Sequence, residues 1–189
     1  MSVKQITMDI LKELAENAAY LKDEEIDPMI ELILHAGHIF TAGAGRSGLG
    51  IRAFTNRLMH LGFSVSNVSE ISSPHTHPGD LLIISSGSGE TDILVALSKK
   101  AKKNGVKIAL VTVSPHSTIA SMADVVVTLP GISPKHDMSE DSVHAVSFQP
   151  MGNAFEQLSF LTYDGIVMEL MDRMGETSDT MFARHADLE

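Results

Sequence analysis

Two short stretches combine glycines with hydroxyl side chains in a pattern that suits a bound anion. Gly43-Ala-Gly45-Arg46-Ser47-Gly48 satisfies G-x-G-x-x-G, and Ser85-Ser86-Gly87-Ser88-Gly89-Glu90-Thr91 repeats the theme further along the chain. Each follows a short apolar run and opens a helical pattern. A helix N-terminus placed there offers unpaired N–H groups and the positive end of a dipole, the setting that holds phosphate. Glycines let the backbone approach closely, and Ser and Thr add donors without bulk or fixed charge. The first stretch alone also suits a dinucleotide, because Glu70 lies near the end of the next strand, where an acid would take ribose hydroxyls. The hydroxyl-rich second stretch is not something a dinucleotide needs. It is what a second turn facing one phosphate would look like.

The elements that must position these loops are legible as alternating runs. Residues 3–21 and about 24–36 have helical periodicity, with Pro28 expected in the first turn of the second helix. Strands are predicted at 38–42, 64–68, 80–85, 107–113 and 125–129. Helices are predicted at 48–61, 90–104, about 117–123 and 154–174, and the polar stretch 131–149 is expected to be a long loop. Continuous apolar strands alternating with helices imply a parallel sheet buried on both faces. The fold class is therefore α/β, a three-layer α/β/α domain with a five-stranded parallel sheet, in which ligands bind beyond the carboxyl ends of the strands.

Composition narrows the partners. The chain has 189 residues, a net charge of −10 and no cysteine, which excludes disulfide and thiolate chemistry and argues against nucleic acid as a partner. There is no apolar run long enough to span a membrane and no signal-peptide layout at the N-terminus, so a cytoplasmic location with no membrane partner is expected. His75 and His77, with Asp80, lie in a proline-flanked turn that offers no helical ligand face, so no metal is assigned.

The two loops in this order, GAGRSG after the first strand and SSGSGET after the third, resemble the sugar isomerase (SIS) family. FTAGAGRSG, RLMHLGF, QPMGNAFEQ at 149–157 and the C-terminal MFARHADLE narrow the resemblance to its 6-phospho-3-hexuloisomerases, over essentially the whole chain. The resemblance implies a single SIS domain over 1–189, with N-terminal helices at 1–36 and a tail at 175–189 that docks on a neighbouring subunit of a homo-oligomer, a tetramer. It implies a phosphosugar ligand and an interconversion of 3-hexulose 6-phosphate and fructose 6-phosphate in the ribulose monophosphate route of formaldehyde fixation. That reaction moves a proton between two carbons through an enediol, so no redox cofactor is required and none is assigned.

Roles follow residue by residue. Ser47, Ser86, Ser88 and Thr91 match the SIS phosphate motif; read without it, their hydroxyls would simply cap helices. Gly45, Gly87 and Gly89 would line the same cradle. Glu156 matches the glutamate that serves as base in SIS isomerases, although Asn153-Ala-Phe-Glu156 also reads as a capping box. His185 sits in a polar tail. Read alone it is a solvated histidine, whereas the resemblance makes it a proton-transfer group in a neighbour's site. Arg46 suits a phosphate or a developing enediolate, or a structural salt bridge. His60 is either a substrate contact or a histidine favoured by a helix C-terminus. Glu70 is either site wall or structural partner. Two other readings remain beside the hexulose isomerase: another SIS activity, such as arabinose-5-phosphate isomerisation, and a non-catalytic phosphosugar-sensing module.

Overall fold

The computed structural model describes residues 1–131 and 147–188. Helices α1 (Val3–Ala18) and α2 (Asp23–His35) precede β1 (Ile39–Gly43), α3 (Gly45–His60), β2 (Val65–Asn67), β3 (Leu81–Ser85), α4 (Asp92–Lys103), β4 (Lys107–Thr112) and β5 (Val125–Thr128). The long α5 (Asn153–Met174) and a short α6 (Ser178–Phe182) complete the chain. The strands form one parallel sheet in the order β2-β1-β3-β4-β5. The five-stranded α/β expectation is met.

The pleat sorts the core into two halves. Ile39, Leu81, Ile83, Ala109 and Val111 pack toward α1, α2, α3 and α5, together with Phe54, Leu58, Leu158 and Leu170. Phe40, Ala42, Leu82, Ile84, Ile108 and Leu110 pack on the opposite face with Leu94 and Ala101 of α4. Strands buried on both faces read as unbroken apolar runs for this reason. The order places the topological switch point between β1 and β3, whose crossovers leave in opposite directions. The two glycine loops follow these two neighbouring strands.

Several boundaries differ from the sequence reading. Pro28 lies six residues into α2, not in its first turn. Its missing N–H forgoes only the bond to Glu24, close enough to the helix start to be tolerated. The helix after β1 starts at Gly45 instead of 48, so Arg46 and Ser47 belong to its first turn. The helix after loop two starts at Asp92 rather than Glu90, with Thr91 as N-cap. The helix expected at 117–123 shrinks to a 3-10 turn at Ala120–Met122. Most of the expected loop at 131–149, residues 132–146, lies outside the described residues.

Candidate active site

Loop one is built by three glycines with distinct tasks. Gly45 has φ +57, the left-handed region that favours glycine, and turns the chain from β1 into α3. Gly43 and Gly48 let the strand end and the helix touch, since a Cβ on Gly48 would stand 2.8 Å from the Gly43 carbonyl oxygen. Loop two is equally tight. Gly89 has φ +62, and a Cβ there would meet Ser117 Oγ at 1.9 Å. Glu90 locks the loop from the other side, accepting from the Thr118 N–H at 2.6 Å.

The helix N-termini behind both loops are uncapped by side chains. Ala44 precedes α3 and has no side chain able to cap, and Thr91 makes no capping hydrogen bond to α4. The first-turn N–H groups of two helices therefore converge on the switch point without internal acceptors. The hydroxyls divide into two sets. Ser86 Oγ accepts from Gly89 N–H and Ser88 Oγ from Glu90 N–H, both at 3.2 Å, so these two shape loop two while sitting almost fully buried in it. Ser47 and Thr91 are half-buried and do no capping work.

The first turn of α5 closes the space between the loops. Phe155 lies against Gly87, whose Cβ would come 3.3 Å from the ring. Glu156 reaches loop one: Arg46 Nε donates to its Oε2 at 2.5 Å, and Arg46 Nη2 donates to Asn153 Oδ1 at 2.8 Å. The capping-box alternative for Glu156 is not what forms. The N-cap of α5 is Gly152, at φ +77, and Asn153 is already helical with its side chain turned to Arg46 and Gln149. The carboxylate is thus held by the exposed Arg46 guanidinium, with no helix-end amide to satisfy. Loop hydroxyls, a sheltered carboxylate and an exposed guanidinium thus share one crevice.

The sequence matches the SIS domain model over residues 32–149. The 3-hexulose-6-phosphate isomerase of Bacillus subtilis is 46% identical over 189 residues, spanning 100% of both chains. That of Mycobacterium gastri is 36% identical over 177 residues, 94% of this chain and 86% of its own. A solved structure from Methanococcus jannaschii, described as inferring a molecular function of 3-hexulose-6-phosphate isomerase, superposes with a TM-score of 0.76 at 32% identity, covering 95% of this chain and 93% of the other.

This chain belongs to the SIS family.

In this SIS domain the residues singled out from sequence fall into two groups. Arg46, Ser47, Ser86, Ser88, Thr91, Glu156 and the loop glycines come together at the switch point. His60 and His185 meet elsewhere. His60 is buried in the last turn of α3, a helix of 16 residues and hence about 24 Å from end to end. The His185 ring stacks on it at 5.2 Å. The tail is ordered on its own chain: Met181 enters the core, and Arg184 donates to the His60 carbonyl at 2.9 Å and to both Glu176 carboxylate oxygens. Glu70 is exposed in the turn beyond β2. Among the described residues no group of three or more His, Asp or Glu is placed to hold a metal.

Two contributors were not assigned to the site from sequence. Asn153 and Gln149 form a relay from Arg46 toward α1, because Asn153 Nδ2 donates to Gln149 Oε1 at 2.8 Å and Gln149 Nε2 donates to Glu13 Oε1 at 3.2 Å. Both lie within QPMGNAFEQ, which was the available signal, but their partners are over a hundred positions away along the chain.

Proposed function

We infer that this chain interconverts 3-hexulose 6-phosphate and fructose 6-phosphate. The chain is an isomerase of the SIS family, and the relatives at 36 and 46% identity are 3-hexulose-6-phosphate isomerases. The observation that carries the mechanism is the contact of Glu156 with Arg46 between two uncapped helix N-termini.

The phosphate sits on the first turns of α3 and α4, with Ser47 and Thr91 as hydroxyl donors and Ser86 and Ser88 holding loop two in shape. Glu156 removes the proton from C2 of the 3-ulose, and the electron pair of that C–H bond forms the C2–C3 double bond of an enediolate. Arg46 leaves the carboxylate for the developing oxyanion, as its fork of donors allows. The hydroxyl proton on O2 passes to O3, the carbonyl reforms at C2, and Glu156 returns its proton to C3. Nothing is oxidised or reduced overall.

His185 is read as acting on substrate oxygens in the site of a neighbouring copy, since its own chain holds it at the far end of α3. It matters chiefly from fructose 6-phosphate, whose ring must open. A homo-oligomer, tetrameric by family resemblance, is supported by α5, which leaves Phe160, Leu161 and Met168 exposed. Residues 1–189 are read as one SIS domain, working in the cytoplasm in the ribulose monophosphate route, because a charged phosphosugar does not cross a membrane unaided. The test is an assay of the purified protein with 3-hexulose 6-phosphate, fructose 6-phosphate and ribulose 5-phosphate. Turnover of the two hexuloses alone is expected; turnover of the pentulose alone would overturn the substrate assignment.

A further inference from the structure

Among the buried hydroxyls without a hydrogen-bond partner among the described residues, two lie between β3 and α5: Ser85 Oγ and the Tyr163 phenol. Ser85 is the last residue of β3 and the first of loop two. Leu81, Ile83 and Ser85 alternate onto the face of the sheet that packs against α3 and α5, so an apolar stripe ends in one hydroxyl directly beneath the phosphate loop. Tyr163 comes down on that face from α5. Its ring is almost completely buried and stacks on Phe54 of α3, with centroids 4.7 Å apart and planes 13° from parallel. Only its oxygen is polar, and it is buried without a hydrogen-bond partner.

Tyr163 stands seven residues after Glu156, two helical turns, on the same side of α5. One rigid helix therefore carries both the carboxylate and the phenol. Burial pushes the phenol up from its ordinary range, and Ser85 is the group that partly opposes this, which sets the two hydroxyls within reach of each other. The phenol stays protonated and is a hydrogen-bond partner, not a base. Buried polar groups are nearly always satisfied, so two that face each other unbonded call for a reason. The reason available here is that loop two settles by a small movement when phosphate occupies it.

We propose that Tyr163 is a positioning residue, whose hydroxyl bonds Ser85 when loop two closes on phosphate and so fixes the phosphate loop relative to the helix that carries Glu156. This rests on the reading that loop two holds the phosphate. Tyr163→Phe keeps the ring stack and removes only the oxygen, and Ser85→Ala removes the other partner.

The experiment is a double-mutant cycle on KM and kcat for fructose 6-phosphate, with inorganic phosphate as competitive inhibitor. Each single variant is expected to raise KM and the phosphate inhibition constant roughly 3- to 10-fold, the size of one ordinary hydrogen bond, with kcat within about twofold. The double variant should be no worse than either single, because both remove the same bond. Unchanged KM in both singles, or effects that multiply in the double, would overturn the proposal. Ser88→Ala runs alongside as a test of the underlying reading. If it weakens phosphate inhibition while Tyr163→Phe does not, only the positioning role fails. If Ser88→Ala also leaves phosphate inhibition unchanged, the phosphate reading of loop two fails with it.

Discussion

Arg46 and Glu156, 110 positions apart in sequence, meet at 2.5 Å across the crevice between loop one and the start of α5. The contact is asymmetric in exposure: the Arg46 side chain is 64% exposed and that of Glu156 19%. A largely sheltered carboxylate is therefore covered by an exposed cation, which Asn153 also holds.

Arg46→Lys tests what that cation does. If the guanidinium moves to the enediolate oxygen, a lysine, with a compact charge and no fork, should not replace it. We expect kcat to fall by about 10², as when one donor to a transition-state oxyanion is lost, with melting little changed. Steady-state kinetics beside a thermal melt check this. A variant that melts early but turns over normally would make the pair a structural salt bridge.

The His185 assignment predicts complementation. Glu156→Gln subunits and His185→Ala subunits, each inactive from fructose 6-phosphate, should regain part of the activity when unfolded and refolded together. Some sites would then combine one intact Glu156 with one intact His185 from a different chain. Mixed oligomers that stay inactive would separate His185 from the neighbour's chemistry.

The anchor of the tail should titrate. Arg184, and after it the Thr180 hydroxyl, hold the Glu176 carboxyl at about 2 instead of the ordinary 4.5. A carboxyl depressed in the folded state stabilises fully above its unfolded value, and that stabilisation is lost as pH falls through the folded value. Wild type should therefore melt above Glu176→Gln at pH 6, and the gap should close as pH falls from about 4.5 toward 2. A gap that stayed constant over that range would mean that the ionised carboxylate of Glu176 does not supply it.

The glycine loops make a graded prediction. Gly45→Ala meets open space but a left-handed backbone, which costs roughly 1–2 kcal/mol. Gly89→Ala carries the same backbone strain and also drives a methyl into Ser117. Denaturant unfolding should rank Gly89→Ala as clearly the more damaging, and equal losses would contradict the packing of loop two on the 114–119 segment.

The parts legible in the sequence were those governed by local periodicity. The apolar runs at 80–85 and 107–113 were legible as strands buried on both faces, and the two hydroxyl-bearing glycine loops as turns facing one phosphate. What escaped was set at a distance. Asn153 read as a helix cap because Ser, Thr, Asp and Asn favour that position, yet Gly152 takes it and frees the amide for Arg46. Helix starts moved because left-handed glycines, not the hydrophobic pattern, decide where α3 begins. His185 read alone as a solvated histidine because the anchor of its tail, Arg184 to the carbonyl of His60, joins residues 124 apart.

The most direct test of the central claim, that the Glu156 carboxylate moves a carbon-bound proton in a phosphosugar held by two helix N-termini, is the turnover of 3-hexulose 6-phosphate by Glu156→Gln, with fructose 6-phosphate binding measured by calorimetry on the same preparation. The amide keeps the shape and cannot accept the proton. The expected result is a loss of about 10²–10⁴ in kcat with binding retained, and a melt close to wild type because Glu156 caps nothing. Turnover within a few-fold of wild type would contradict the account.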